Sequence, residues 1–119
     1  MRRFTFPDSA RIKKTSEFDL VKSRSQRLYS GHFLLLVHEH VGRESRLGVI
    51  ITRKVDKRAA RRNRLRRRLR EIFRTERHKL TKKVDLVIIA RKDAADCRFA
   101  RIKQEVIGAL SRAGYIEVA

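Results

Sequence analysis

The spacing of apolar positions changes several times along the chain, and each spacing predicts an element. Residues 1–14 carry little periodicity around Pro7 and predict an extended basic arm. Ser16 offers an N-cap for a short helix from about Glu17 to Ser23, with Phe18 and Val21 on one side. Phe33-Leu34-Leu35-Leu36-Val37 predicts a strand that His38, Glu39 and His40 continue or end, and Gly42 to Ser45 predict a turn. A second strand is predicted from Leu47 to Thr52, where Leu47, Val49 and Ile51 alternate with Gly48, Ile50 and Thr52. From about Arg58 to Lys79 the spacing is helical. Val84 to Ala90 is nearly all apolar and predicts a third strand covered on both faces. Asp96 can cap a last helix running to Ala113, with Phe99, Ile102, Val106 and Leu110 on one stripe and Gly114 as its stop.

The predicted order is helix-strand-strand-helix-strand-helix. No internal repeat or linker divides it, so residues 1–119 are expected to form a single α+β domain, one sheet packed by helices. The short turn between the first two strands predicts an antiparallel hairpin. The long helical connection to the third permits parallel pairing.

Charge changes the picture. The 119 residues are 41% hydrophobic, enough for one core, yet 32 Lys and Arg against 13 Asp and Glu leave a net charge of +19. Such an excess destabilises a compact chain by self-repulsion and points to a polyanionic partner, either nucleic acid or an anionic membrane. The longest apolar run, Phe33 to Val37, is far short of the roughly 20 residues of a spanning helix. Met1-Arg2-Arg3-Phe4 has no hydrophobic stretch behind it. Cys97 is the only cysteine, which excludes an internal disulfide and fits a reducing compartment. A cytoplasmic protein with no membrane partner is expected.

The charge is concentrated. Of residues 57 to 70, Lys-Arg-Ala-Ala-Arg-Arg-Asn-Arg-Leu-Arg-Arg-Arg-Leu-Arg, nine are basic and none acidic. At about 100° per residue, Leu65, Leu69 and Ile72 gather on one side with Phe73 at the edge. Opposite lie Asn63, Arg67, Arg70 and Arg74, flanked by Arg64 and Arg68 on one side and Arg66 on the other. Glu71, the lone acid from Lys57 to Thr75, can reach Arg67, Arg68 and Arg74. Arg58 and Arg62 would fall on the apolar side of a regular helix, so the helix is expected to overhang the sheet there or to begin irregularly. An ordinary solvated face alternates signs, and this one does not. Guanidinium forms bidentate bonds to phosphate and stacks on bases, so the preference for Arg over Lys favours folded RNA.

Arg62-Asn63-Arg64-Leu65-Arg66-Arg67-Arg68-Leu69-Arg70-Glu71 resembles the signature of the bacterial ribonuclease P protein component family. Three further segments match that family in order: Arg11-Ile12-Lys13-Lys14-Thr15-Ser16-Glu17-Phe18, Arg46-Leu47-Gly48-Val49 with Arg53-Lys54-Val55, and Asp85-Leu86-Val87-Ile88-Ile89-Ala90-Arg91. The resemblance spans about residues 11 to 112. It implies a fold like the second domain of ribosomal protein S5, with a left-handed crossover between parallel strands, against the usual preference. It implies endonucleolytic removal of the 5′ leader from precursor tRNA, with catalysis by an RNA subunit holding Mg²⁺ and one protein bound per catalytic RNA. Arg61, Arg62, Asn63, Arg64, Arg66, Arg67, Arg68 and Arg70 are thereby implied to contact that RNA. Arg11, Lys13, Lys14, Phe18, Lys22 and Leu36 are implied to form the leader-binding cleft. Lys22 and Leu36 stand where other members often carry aromatics, so leader contact is expected to depend more on charge and less on stacking.

On its own spacing Phe18 reads as a core residue of an amphipathic helix, and Leu36 likewise as core. His38 and His40 would share a strand face, but no third ligand stands at zinc spacing near them, and a strand-end surface is the plainer reading. His32 and His78 have no partner recognisable from sequence. Cys97 lacks a nucleophile's surroundings, no serine lies in a G-x-S-x-G setting, and no carboxylate pair is identifiable, so neither a catalytic residue nor a metal ligand is expected. Two other functions compete: a ribosomal or RNA-chaperone protein of similar fold, and a DNA-binding protein reading the major groove. No helix-turn-helix partner precedes the arginine stretch, which disfavours the last.

Overall fold

Val84 to Ala90 is an almost unbroken apolar run, and such a strand needs cover on both faces and partners on both edges. It has both. The computed structural model describes residues 6–41 and 44–116. Its elements are α1 (Thr15–Arg24), β1 (Gln26–Ser30), β2 (Phe33–Glu39), β3 (Arg46–Ile50), α2 (Ala59–Glu76), β4 (Val84–Ala90) and α3 (Phe99–Arg112). Short 3-10 turns lie at Asp8–Ala10, Arg77–Lys79 and Ala94–Asp96. The sheet order is β1-β2-β4-β3. β2 runs antiparallel to both β1 and β4, and β3 runs parallel to β4 across the α2 connection.

The α+β class, the single domain body and the helix-packed sheet agree with expectation, but the strand count and one pairing do not. β1 carries no strand pattern in the sequence because Gln-Arg-Leu-Tyr-Ser has one aliphatic residue; it is an edge strand, largely exposed. The antiparallel hairpin is therefore β1–β2, closed by Gly31 at φ +43° and His32. β2 and β3 are not paired, because β4 takes the central position between them. α1 starts after Lys14 rather than at Ser16, and the Lys14 N–H donates to Glu17 Oε1 at 3.4 Å. Asp96 ends a 3-10 turn and does not cap α3, whose first residue follows Arg98. Phe99 is 37% exposed; the buried stripe is Ile102, Val106, Ala109 and Leu110. Gly114 does stop α3, at φ +84°. The predicted turn at Gly42 to Ser45 and the start of the arm lie partly outside the described residues.

Pairing register sorts the side chains into two cores, since residues opposite one another share a face. On one face Phe33, Leu35, Val37, Leu47, Leu86 and Ile88 meet Leu65, Leu69 and Ile72 of α2 and Ile102, Val106 and Leu110 of α3. Each such side chain contributes roughly 1.5–3 kcal/mol of burial. On the other face α1 places Val21 over Leu36 and Val87, with Ile12 of the arm beside them. The described part of the arm is tied down. Ile12 N–H donates to Leu47 O at 2.9 Å, and Phe6 meets the Phe73 ring edge-on with centroids 5.9 Å apart.

Candidate nucleic-acid interface

The apolar stripe of α2 is as its spacing predicts: Leu65, Leu69, Ile72 and Phe73 are buried. That places Asn63, Arg64 and Arg67 in solvent, with Arg66 and Arg70 half-buried at the flank. Arg58 and Arg62 stay out of the core although α2 is regular from Ala59, so no irregular start is needed. Arg58 precedes the first helical residue, and its backbone N–H donates to Asp56 Oδ1 at 2.8 Å. Arg62 turns back, donating to the carbonyls of Asp56 (3.0 Å) and Lys57 (2.9 Å). The first turn of α2 contains no acid, so the positive end of the helix dipole adds to these side chains. Beside it Arg53, Lys54, Lys57, Ala59 and Arg62 line an open cleft of about 490 Å³.

The basic residues divide by what already holds them. Arg61 is paired with Asp56 at 3.1 Å and with Asp96. Arg68 donates to the Cys97 carbonyl at 3.1 Å. Glu71 takes Arg74 (2.9 Å) rather than Arg67 or Arg68. Arg66 donates to Asn63 Oδ1 at 2.8 Å. Among the described residues Arg64, Arg66, Arg67 and Arg70 form no ion pair. Arg70 is the extreme case: partial burial, then the nearby Arg11 and Arg66 charges, lower its pKa below the usual guanidinium value. Three neighbouring guanidinium groups, of which Arg66 and Arg70 form no ion pair among the described residues, make a site where an anion would relieve repulsion.

The implied cleft residues separate. Phe18 is half-buried and its ring lies against Gly48, where an added Cβ would come within 2.5 Å of Phe18 Cε1. It is part of the small core. Leu36 is 2% exposed beneath α1, a floor residue with no open surface. Lys14 and Lys22 are exposed, and Lys13 is paired with Asp8. Arg11 sits over the Phe6 ring, 5.0 Å from its centroid, and within electrostatic reach of Arg70, so it joins the α2 surface.

The register reveals a surface that the sequence pattern did not disclose. Tyr29, Leu34, Ile89 and Ile50 stand opposite one another across all four strands, on the face that carries α1; Leu34, Ile50 and Ile89 are half-buried against the small core, and Tyr29 is open. Tyr29 is 62% exposed, with Arg91 5.8 Å from its ring centroid. Arg27 shares this face one pair along. The strip as a whole is not recognisable without β1, which carries Arg27 and Tyr29.

α1 is fastened over this face by buried charge. Arg46 donates to both oxygens of Asp85, at 2.9 and 2.8 Å, and to Glu17 of α1 at 2.5 Å. Asp85 is 1% exposed and also meets His40 Nε2 at 3.1 Å. Hydrogen bonding to Asp85 pushes the Arg46 pKa up, and Arg46 in turn holds Glu17 below the usual carboxylate range. His40 is thus a buried partner of a carboxylate, not the strand-end surface expected of it. Among the described residues, the one group of three or more side chains able to share a metal ion is His32, Cys97 and Glu105, away from His38 and His40.

A mixed four-stranded sheet with α1 on one face, α2 and α3 on the other, and a guanidinium-lined outer helix defines a small α+β domain with one strongly basic surface. The chain belongs to the ribonuclease P protein family, whose model, described as Ribonuclease P, matches residues 6–114. It is 36% identical over 116 residues to the ribonuclease P protein component of Desulfovibrio desulfuricans, covering 94% of this chain and 88% of that one. It is 37% identical over 114 residues to the component from Xylella fastidiosa, covering 96% and 83%. The solved ribonuclease P protein of Thermotoga maritima superposes with a TM-score of 0.77 at 30% identity, covering 91% of this chain and 98% of that one. The Staphylococcus aureus protein, at 23% identity, shares the fold with a TM-score of 0.82 over 92% of this chain and all of the other.

Proposed function

We propose that this chain acts as the protein subunit of ribonuclease P, binding its catalytic RNA and the 5′ leader of precursor tRNA in the cytoplasm. Membership of the family supports the subunit role. The observation that carries the RNA contact is the set Arg64, Arg66, Arg67 and Arg70, which has no carboxylate partner among the described residues and includes a guanidinium already disfavoured by its neighbours. Phosphate oxygens satisfy such groups bidentately. Arg62 and Asn63 border the same surface, while Arg61 and Arg68 brace it against the Asp96–Cys97 segment.

For the leader, exposed Tyr29 with the half-buried Leu34, Ile89 and Ile50 offers an aromatic and apolar strip beside Arg27 and Arg91, on the face that also carries α1 and its exposed Lys22. A single strand uses such a strip by stacking bases while cations track its phosphates. Phe18 bounds it on the α1 side.

The protein's own residues do not suit Mg²⁺ at these surfaces. The carboxylates beside α2, those of Asp56, Glu71 and Asp96, are each engaged by an arginine. In this reading the ion belongs to the RNA, and the protein lowers the electrostatic cost of bringing two polyanions together. The test is reconstitution with a bacterial ribonuclease P RNA. One chain per RNA should lower the Mg²⁺ needed for cleavage and strengthen binding of leader-bearing precursor over mature tRNA. No change in either quantity would reject the reading.

A further inference from the structure

Glu105 projects from the buried face of α3 and is 8% exposed, yet its carboxylate is surrounded by donors from the β1–β2 hairpin and from the preceding turn of α3. The His32 backbone N–H donates to Oε1 at 2.7 Å, His32 Nδ1 lies 2.8 Å from Oε2, and Arg101 Nε donates to Oε2 at 2.9 Å. Ser30 Oγ donates to the Glu105 carbonyl at 2.8 Å, fastening the β1–β2 hairpin to the same helical turn. Close approach requires Gly31: a Cβ there would lie 2.5 Å from Glu105 Oε1. The third side chain is Cys97, half-buried in the segment between the Ala94–Asp96 turn and α3. Ligand atoms of His32, Cys97 and Glu105 all lie within 4.8 Å of one another.

We infer that His32 Nδ1, Cys97 Sγ and a Glu105 carboxylate oxygen form a Zn²⁺ site that ties the β1–β2 hairpin to the Cys97 segment and α3. One nitrogen, one sulfur and one oxygen donor suit zinc. Mg²⁺ and Ca²⁺ take oxygen alone. With bonds of about 2.0–2.3 Å, tetrahedral ligands stand roughly 3.3–3.7 Å apart, so the cluster must open slightly at His32–Glu105 and close slightly toward Cys97. Three protein ligands leave a fourth position for water. On binding, the Cys97 thiol releases its proton to solvent, and neutral His32 carries its remaining ring proton on Nε2. Arg101 opposes the ion through its bond to Oε2, but its side chain is 61% exposed and can swing into solvent.

The site has a structural consequence for the arginine helix. The Cys97 carbonyl receives Arg68, and the adjacent Asp96 pairs with Arg61. An ion held by Cys97 would fix the segment on which these two α2 side chains rest.

The test is titration of the full, EDTA-treated chain with zinc chloride by calorimetry, and with cobalt chloride by absorption spectroscopy. One Zn²⁺ per chain is expected, with affinity at least tenfold weaker in Cys97→Ser and in His32→Gln. Cobalt should give a thiolate-to-metal charge-transfer band that Cys97→Ser abolishes. Arg101→Gln, which removes the competing cation, should bind Zn²⁺ several-fold more tightly. Far-UV circular dichroism without metal checks that each variant is folded. Equal zinc affinity in the parent and Cys97→Ser proteins, or cobalt binding without the thiolate band, would overturn the assignment.

Discussion

The Phe18 ring occupies the space that a side chain at residue 48 would fill, with Phe18 Cε1 2.5 Å from an ideal Cβ on Gly48. This packing sets how closely α1 approaches the sheet. Gly48→Val should therefore overpack the small core at a cost of about 1–3 kcal/mol. Urea unfolding should show a lower midpoint with an unchanged slope, and leader-bearing precursor should bind more weakly than it does to the parent. A variant with parental stability would mean that α1 floats over the sheet and does not define the cleft.

The Arg46–Asp85 pair is expected to be the main polar anchor beneath α1. Asp85 is 1% exposed, so Asp85→Ala leaves the Arg46 charge buried without its bidentate partner, at a cost of about 3–5 kcal/mol. Glu17 also bonds Arg46, but its side chain is 28% exposed, and Glu17→Gln should cost no more than about 1 kcal/mol. Equilibrium unfolding of the two variants separates the contributions. Equal effects would place the anchor elsewhere.

Glu76 supplies a pH-dependent contribution at the end of α2. Burial alone would raise its carboxyl, but Lys79 and Lys103, with oxygens at 2.9 and 3.1 Å, more than offset this and hold its pKa below the ordinary glutamate value. A depressed folded-state pKa stabilises above the unfolded value of about 4.3, and that stabilisation is lost as pH falls through the folded value. Glu76→Gln should thus be less stable than the parent at pH 7, with the difference shrinking below about pH 4. Unfolding free energies measured from pH 7 to pH 3 would show it. A difference that stays constant with pH would mean the charge is not the cause.

Period and burial explain which features were legible in the sequence. Leu65, Leu69 and Ile72 announce the α2 stripe because three buried positions repeat at helical spacing, and Val84 to Ala90 announces a strand covered on both faces because nothing polar but Asp85 interrupts it. β1 gave no such signal: an edge strand with one covered face needs only Leu28 and Ser30 inward. Without β1, neither Tyr29 nor the β1–β2 hairpin could be placed, and β2–β3 pairing followed wrongly from a short turn. His32, Cys97 and Glu105 lie too far apart in sequence for any ligand spacing to link them; only the hairpin and α3 bring them together. The sequence marks Arg70 as basic and places it opposite the apolar stripe, but in the structure it is half-buried at the flank, and its opposition to Arg11 depends on the arm packing back along β3.

That opposition gives the sharpest test of the arginine surface. Arg70 is half-buried, lacks a carboxylate among the described residues, and faces the charges of Arg11 and Arg66, so its removal relieves repulsion in the free protein. Arg70→Gln should leave thermal stability unchanged or raise it, while weakening binding to the catalytic RNA. Arg67 is fully outward and should behave alike. Each phosphate deprived of its arginine should reduce the log-log salt dependence of binding by about 0.9, so Arg67→Ala with Arg70→Ala should flatten the slope by about 1.8 on duplex-like RNA. Arg74→Gln is the control, because its guanidinium is already held by Glu71 at 2.9 Å. Unfolding of the double variant would show that these side chains support the core; an unaltered salt slope would show that the RNA docks on another face.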